Sequence, residues 1–334
     1  MVAFIKRRSD FKTVASANVS AWDVPLASTE DDAGSVVLVG EQASRGSEGD
    51  FLILDGQIWV IGEISYDKGQ AQVKVEDILS LFERSLFYTA PGAGVKVEDW
   101  IKGQIEQHYK NCTDRVYALP YLDITADGET SWYSPDIDDS GLYVLRDYIE
   151  TVHRLYGVQI DAFVTGDRLC LDVERRTRNE YRVVFTDGTA QLISEAYSRK
   201  SVAKITTVQG ATVMDWYLSS AGVISNTPPE SRVAGEWKML VLKDRDVAAD
   251  KVAAQFAKNS CSHKVEFMST RAFALYDNVQ LRLGESVVSS YISFIGTASG
   301  DNRFRYKTGE LKTKLTETVK GVIKIERNSG NHLR

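Results

Sequence analysis

The sequence predicts a mainly β protein with an α/β insert, an α+β chain in which two tube-like β-barrels flank a small helix-hairpin domain. Short apolar runs separated by glycines fill residues 1–88, helical periodicity dominates 89–178, and β-type runs return from residue 179. With 334 residues, the chain is long enough for two or three domains. The predicted boundaries are 1–88 for the first barrel with its closing helix, 89–178 for the insert, and 179–334 for the second barrel with short helices.

The first barrel is predicted from four runs rich in Val, Ile, Leu and aromatic residues. They are SVVLVG, FLILDG, QIWVIGEISY and QAQVKVED, and Asp55-Gly56 is a strong tight-turn signal between the second and third. The segment VEDILSLFERSLFY then changes to helical spacing after Asp77, which is suited to cap a helix. Four strands and one helix predict a small barrel that a helix closes.

The insert is predicted to follow the linker TAPGAG, residues 89–94. KVEDWIKGQIEQHYKN has the apolar spacing of one helix. A second helix over 142–156 is predicted with Asp139 or Ser140 as its cap and Gly157 at its stop. Its apolar stripe comprises Leu142, Leu145, Ile149, Val152 and Tyr156. VQIDAFVTGDRLCLDVERR then predicts a hairpin about Thr165-Gly166-Asp167.

The second barrel is predicted from the β-type runs that begin after Asn179. Its first candidate strands are EYRVVFTDG, TAQLISEAY, SVAKITTVQ, TVMDWYLSS and EWKMLVLK, with an exposed loop at Thr227-Pro228-Pro229. DVAADKVAAQFAKN predicts a short Ala-rich helix. The remaining candidates are HKVEFM, NVQLRLGESVVSSYISFIGTASG, RFRYKTG and GVIKIER.

One hairpin pattern occurs in both β regions. GDFLILDGQIWVIGEIS and DNVQLRLGESVVSSYIS can be placed side by side with Gly56 opposite Gly284 and Ile64 opposite Ile292. Each has a short apolar strand, a turn and a longer strand. The identities are few, so the general pattern of hairpins explains the similarity as well as an internal repeat does.

Composition excludes several classes of protein. A hydrophobic fraction of 43% and a charged fraction of 26% are those of an ordinary globular chain, and a net charge of −6 without a basic block gives no electrostatic case for wrapping nucleic acid. No apolar segment approaches the roughly 20 residues that a membrane helix needs, and the order of charges in MVAFIKRRSDFKTV is the reverse of a signal peptide. We expect synthesis in a cytoplasm and reduced, mostly buried thiols at Cys112, Cys170 and Cys261.

No residue is assigned a catalytic, cofactor-binding or metal-binding role, and the chain is predicted not to be an enzyme. His108 and Cys112 have i, i+4 spacing, but no second Cys or His pair completes a zinc pattern. Of the other histidines, His153 is predicted at a helix boundary and His332 in a polar tail, and His263 begins the candidate strand HKVEFM. Phosphate-loop, nucleophile-elbow and zinc-protease motifs are absent from the sequence.

Two loops and five of the six tryptophans also receive ordinary structural interpretations. GEQASRGSEGD is predicted to be a loop rather than a nucleotide fingerprint, and DGETSWYSPDIDDSG resembles a calcium loop only in composition. The tryptophans are scattered, so core packing explains them better than a platform for sugar stacking. They are Trp22, Trp59, Trp132, Trp216 and Trp237.

The order of these elements resembles that of phage tail hub proteins, the baseplate or tail-tip hubs of contractile tails, tailocins and long-tailed phages. The segment 49–83 resembles the opening barrel of that family, DWIKGQIEQHYKN and LYVLRDYIETVHRLYGVQIDAFVTGDRLCLDV resemble its insert, and 276–315 is similar to its C-terminal strands. The resemblance covers almost the whole chain by element order rather than by invariant motifs. No functional residue is carried over.

The resemblance implies a homotrimeric structural component of the virion tail. Two tube-like barrels per chain would give six around the axis, so that a trimer adapts the sixfold tail tube to a threefold spike or tip complex around a central channel. The implied partners are other copies of the chain, a tail tube or distal tail protein, a separate spike or tip protein and the tape measure protein, with DNA only as passing cargo. Because the sequence ends at Arg334, no enzymatic extension is expected in the same chain.

Two alternatives stay open. The chain can be another tail-tip component, such as a distal tail protein or a receptor- or carbohydrate-binding protein, which should show a convergent aromatic and polar surface. It can instead be a cell-wall hydrolase, which needs a carboxylate or Cys-His constellation. The hub hypothesis requires that the N-terminal and C-terminal β regions share a topology.

Overall fold

A computed structural model describes residues 1–28, 34–186, 188–197, 201–219, 223–230, 235–241, 249–258, 263–284 and 286–309. The chain forms two compact units. The first comprises Met1–Tyr181 with Thr270–Asn278 and Phe294–Arg305, and the second comprises Arg182–Ser269 with Val279–Ser293 and the residues from Tyr306 onward. The fold is mainly β, as the sequence predicts.

A closed six-stranded barrel forms the start of the first unit. Its strands follow one another around the wall in the order β1-β4-β5-β6-β3-β2, and antiparallel pairing of β1 with β2 closes it. Phe4 is opposite Ile53 on one side and Ser16 on the other. The strands are β1 (Val2–Lys6), β2 (Thr13–Ser28), β3 (Gly34–Val39), β4 (Phe51–Leu54), β5 (Gln57–Asp67) and β6 (Gln70–Glu76).

Two of these strands, β1 and β2, are absent from the sequence-based prediction. β2 extends over 16 residues and alternates small and polar side chains, so it lacks the Val- and Ile-rich runs that indicate the other strands. Its inward residues include Ala15 and Ala17, and such small side chains suffice where the barrel wall closes on itself. The Asp55-Gly56 turn is confirmed, since both residues have positive φ, 51° and 79°.

The predicted closing helix is wrong in type and extent. A 3₁₀ helix covers only Ile78–Phe82, and the chain then becomes the short strand β7 (Ser85–Phe87). Asp77 caps it as predicted, because its carboxylate accepts the N–H of Leu79 at 2.7 Å. The apolar spacing is satisfied by one and a half turns, which bury Ile78, Leu81 and Phe82.

The insert contains a helix pair and a hairpin, as predicted. α1 (Val97–Ile105) continues into a π-helical turn at Glu106–Lys110, and α2 (Leu145–Tyr156) ends at Gly157, which has φ 80°. The hairpin β10 (Val158–Thr165) and β11 (Arg168–Arg175) adds β8 (Leu122–Ala126) in parallel to β11, giving the order β10-β11-β8.

The predicted start of α2 is wrong. Leu142–Val144 forms β9, which pairs with β7, so the helix begins three residues later and its N-cap is Val144 rather than Asp139 or Ser140. The nearby Asp138 carboxylate instead accepts the N–H groups of Ser140 and Leu142 and forms the turn before β9. Because polar turn residues favour both a cap and a turn, the sequence does not separate the two.

The insert and the barrel share a hydrophobic core. The outward residues of β4 and β5, Phe51, Ile58 and Val60, are buried against the insert, so β5 is covered on both faces. Phe11, from the loop after β1, stacks on Tyr121 with ring centroids 4.9 Å apart. The rest of this core includes Leu86, Trp100, Ile101, Leu145, Tyr148, Ile149, Leu169 and Leu171.

The second unit contains a six-stranded sheet and a four-stranded sheet. The six-stranded sheet has the order β12-β19-β20-β21-β18-β13, and the other has the order β16-β15-β14-β17. β20 begins in the second unit, and β21 ends in it. The residues between these points, Phe294–Arg305, belong to the first unit, where the end of β20 pairs with the end of β2. The elements are β12 (Glu180–Val184), β13 (Ala190–Tyr197), β14 (Ser201–Gln209), β15 (Thr212–Leu218), β16 (Ile224–Ser225), β17 (Gly235–Leu240), α3 (Ala249–Lys258), β18 (His263–Ser269), β19 (Asn278–Leu283), β20 (Ser286–Ala298) and β21 (Phe304–Thr308).

Several predictions fall outside the described residues. They are the strand predicted at GVIKIER, the tail histidine His332 and the thiol of Cys261. The Ala-rich helix and the strands at HKVEFM and RFRYKTG are confirmed as α3, β18 and β21.

Candidate assembly site

The two six-stranded sheets have the same strand order. Numbered from its own first strand, each is arranged 1-4-5-6-3-2, with the hairpin 4–5 carrying Gly56 in the first sheet and Gly284 in the second. Six strands can be ordered in many ways, so a shared non-sequential order is strong evidence for an internal structural repeat. The N-terminal and C-terminal β regions therefore share a strand order.

The two sheets differ in the direction of their first strand relative to the fourth strand, which lies beside it. β1 ends at Lys6 opposite Phe51, the first residue of β4. In the second sheet, Asn278, the first residue of β19, donates its N–H to the carbonyl of Asn179, which precedes β12. The starts of β12 and β19 therefore lie side by side, whereas β1 runs antiparallel to β4. The repeat is one of strand order rather than of every strand direction.

A buried aspartate organises the same loop in both repeats. Asp50, directly before β4, accepts the N–H of Ser47 at 3.0 Å and of Arg8 at 2.9 Å. Asp277 precedes β19 and accepts two N–H groups in the same way, from Ala274 at 2.8 Å and from Asn179 at 3.0 Å. Each carboxylate joins the loop three residues upstream to a residue that flanks the first strand of its sheet, Arg8 after β1 and Asn179 before β12. Each aspartate is at most 7% exposed.

The residue before each aspartate has a left-handed backbone. Gly49 has φ 82°, and Tyr276 has φ 63°, which is unusual for a residue with a bulky side chain. The ring of Tyr276 is buried, packs edge-on against His153 of α2 with centroids 4.7 Å apart, and lies under the guanidinium of Arg178. These contacts hold Tyr276 in its strained conformation and tie the 270–278 segment to the insert.

The interior of the first barrel is filled by side chains. Trp59 lies inside and donates its indole N–H to the carbonyl of Pro25 at 2.8 Å. A six-stranded barrel has room only for packed side chains, so its interior is a core and not a passage. The interior residues are Ala3, Ile5, Ala15, Ala17, Val24, Val36, Leu38, Ala43, Leu52, Leu54, Trp59, Ile61, Ala71, Val73 and Val75.

The histidines and cysteines that the sequence analysis considered do not converge. His108 is on the π-helical turn, where burial and Arg84 lower its pKa, and Cys112 follows beside Arg84. Cys170 is on β11, and both thiols are free and half-buried. Burial, together with the nearby charges of Arg178 and Arg176, lowers the pKa of His153 to about 4. Within the described ranges, no three His, Cys, Asp or Glu side chains are placed to hold a metal ion.

Four of the five tryptophans support the packing interpretation, and one contradicts it. Trp59 and Trp216 are buried, and Trp22 and Trp132 pack against cores. Trp237 is 50% exposed on β17, so the prediction that it packs in a core is wrong. The alternation in EWKML, which places Trp237 and Met239 on one face of a strand, is the sequence signal for this surface.

Membrane insertion through a helix finds no support in the described part of the chain. No helix among the described residues has the length and apolar character to cross a bilayer.

The fold is that of phage tail and baseplate proteins. No family model matches the sequence, and no curated protein matches it. Among solved structures, the chain is similar to the prophage tail protein gp18 from Listeria monocytogenes EGD-e, with a TM-score of 0.53 and 10% identity over 98% of this chain and 100% of the other. It is also similar to a chain in the topological model of the p2 virion baseplate in its activated conformation, with a TM-score of 0.50 and 10% identity over 94% and 99%. At this identity, the similarity shows a shared fold.

Proposed function

We propose that this chain is a structural component of a phage tail, and specifically a homotrimeric tail hub that adapts a sixfold tube to a threefold spike or tip complex. The observation that supports it most is the shared 1-4-5-6-3-2 strand order of the two six-stranded sheets. Two pseudo-equivalent sheets per chain would give three chains six similar positions around an axis, which a symmetry adaptor needs.

The filled barrel supports a ring of chains rather than a single tube. Because side chains occupy the barrel interior, a channel for DNA cannot pass through one barrel and must form between chains. A net charge of −6 per chain is compatible with a wall that does not hold a polyanion. DNA is therefore passing cargo, and the chain needs no nucleic-acid site.

The proposal includes a location and a set of partners. The chain would be made in the host cytoplasm and built into the baseplate or tail tip, in contact with its own copies, a tube or distal tail protein, a separate spike or tip chain and the tape measure protein. The three-domain division at 88/89 and 178/179 stays part of this proposal. We assign the chain no enzymatic role, since the two similar solved structures are described as tail and baseplate proteins.

The mass of the assembly tests the proposal. Native mass spectrometry of the purified chain and cryo-electron microscopy of tails carrying it should show three copies around the axis. Six copies would favour a distal tail protein, and a monomer that degrades peptidoglycan would refute a structural role. Assembly into trimers can require the tube or spike partner, so the measurement in the particle is decisive.

A further inference from the structure

The second six-stranded sheet carries a module that the first lacks. Between its second and third strands, β13 and β18, the chain makes the four-stranded sheet and α3, whereas β2 and β3 are separated only by residues 29–33. A feature present in one of two repeats would occur at alternate positions of a six-membered ring. In the proposed trimer it is therefore present three times.

One face of this four-stranded sheet is covered by α3. Ile205 and Trp216, directly opposite each other on β14 and β15, pack with Val252 and Phe256 of the helix. Trp216 also donates its indole N–H to Thr207 at 3.1 Å. These residues point to the helix side, so the residues that alternate with them point away from it.

The other face, which we call the aromatic face, is defined by Trp237, Met239, Tyr217, Val213, Lys204 and Asp215. The pairing places Lys204 directly between Trp237 and Tyr217, with Asp215 in the next row. Trp237 is 50% exposed, Met239 is 54% exposed and Val213 is 64% exposed. An ordinary solvated sheet face is polar, so exposed large side chains on three positions of one small face are unusual.

The charges on the aromatic face neutralise each other. Lys204 Nζ is 2.8 Å from Asp215 Oδ2 and lies 5.5 Å and 5.7 Å from the ring centres of Trp237 and Tyr217. Asp215 also accepts hydrogen bonds from the hydroxyls of Thr206 at 2.7 Å and Tyr217 at 3.4 Å. The hydrogen bonds from Lys204 and Thr206 lower the pKa of the Asp215 carboxyl.

This arrangement selects the chemistry of the partner. With the Asp215 carboxylate already bonded to three side chains, few polar groups remain on the face to bind sugar hydroxyls or a charged ligand. Exposed Trp, Tyr and Met around an internally paired charge are instead the composition of a protein interface core. The matching surface is apolar and uncharged.

We propose that the aromatic face binds an uncharged apolar surface of a different tail protein, the threefold spike or tip chain, with one contact per hub chain. The inference rests on the proposed trimeric hub, because the module distinguishes the two repeats and so marks three of six ring positions. A second copy of this chain or the tube protein is the alternative occupant, and the experiment separates them.

Oxidation of methionines in intact tails tests burial of the face. Met239 is on the aromatic face, and Met214, 40% exposed, is on the opposite face of the same sheet, since it is paired with the buried Thr207. Hydrogen peroxide should convert Met239 to the sulfoxide at least tenfold more slowly in tails than in the free chain, while the rate at Met214 changes less than threefold. Equal rates at Met239 in the two states would overturn the proposal.

A photo-crosslinker in place of Met239 identifies the occupant, and the same group in place of Val287, 61% exposed on β20, is the matched control. An adduct between position 239 and the spike or tip chain supports the proposal. An adduct with a second hub copy, with the tube protein or with any other tail chain overturns it, as does the absence of any adduct at position 239. The copy number of the hub in the same tails is counted separately, so failure of the trimer and failure of this interface give different results.

Discussion

Asp277→Ala is expected to lower the free energy of unfolding by about 3 kcal/mol. The carboxylate of Asp277 is 1% exposed and accepts the N–H groups of Ala274 and Asn179. Hydrogen bonds to a charged acceptor contribute about 1.5–3 kcal/mol each, so two give about 3–6 kcal/mol. We expect the lower value of this range because Asn179 is exposed, so that its N–H can bind water when the carboxylate is removed. The N–H of Ala274 is buried and would lose its partner.

The repeat supplies a matched variant. Asp50→Ala removes the same pair of bonds in the first sheet, from Ser47 and Arg8, and should cost a similar free energy. Asp277→Asn keeps one acceptor oxygen and should cost about half as much. Asp67→Ala, at an exposed position at the end of β5, is the control and should change stability by less than about 0.5 kcal/mol.

Urea unfolding followed by tryptophan fluorescence and far-UV circular dichroism measures these differences. Hydrogen exchange of the amides in β4 and β19 then shows which sheet each variant loosens. The reasoning is refuted if Asp277→Ala is within 0.5 kcal/mol of the unsubstituted protein. It is also refuted if Asp50→Ala leaves the free energy of unfolding unchanged while Asp277→Ala lowers it.

Three further predictions concern the first unit. Lys68 has φ 45° in the two-residue turn between β5 and β6, so Lys68→Asn should raise the free energy of unfolding by about 0.5–1 kcal/mol, and an unchanged urea midpoint would contradict this. Leu145 is fully buried in the core of the insert, and Leu145→Asp should prevent the insert from folding, whereas a normal proton spectrum of its core would contradict the placement of this face. The pKa of His153 is about 4 when folded and about 6.5 when unfolded, so the folded chain binds fewer protons between these pH values. Stability should therefore fall by about 3 kcal/mol as pH drops from 6.5 to 4, and His153→Gln should remove this part of the slope in urea titrations.

The sequence by itself determined the fold class and most elements. Val- and Ile-rich runs bounded by glycines became strands, and Asp55-Gly56 became a tight turn, because these residues restrict the backbone locally. Gly157 ends α2 for the same kind of reason. The pairing of Gly56 with Gly284 was also visible in the sequence, although the alignment alone did not distinguish a repeat from two ordinary hairpins.

Only the tertiary structure decided how those elements combine. The small residues of β2 form a strand because the barrel closes there, and the turn after Asp138 starts β9 because β7 is available to pair with it. Trp237 is half exposed on the face of its sheet that points away from α3, because α3 packs on the opposite face. Strand periodicity fixes the alternation of side chains but not which of the two faces the helix covers. Asp50 and Asp277 gain their roles from backbone groups 42 and 98 residues away in the chain, and such long-range partners leave no local pattern to find.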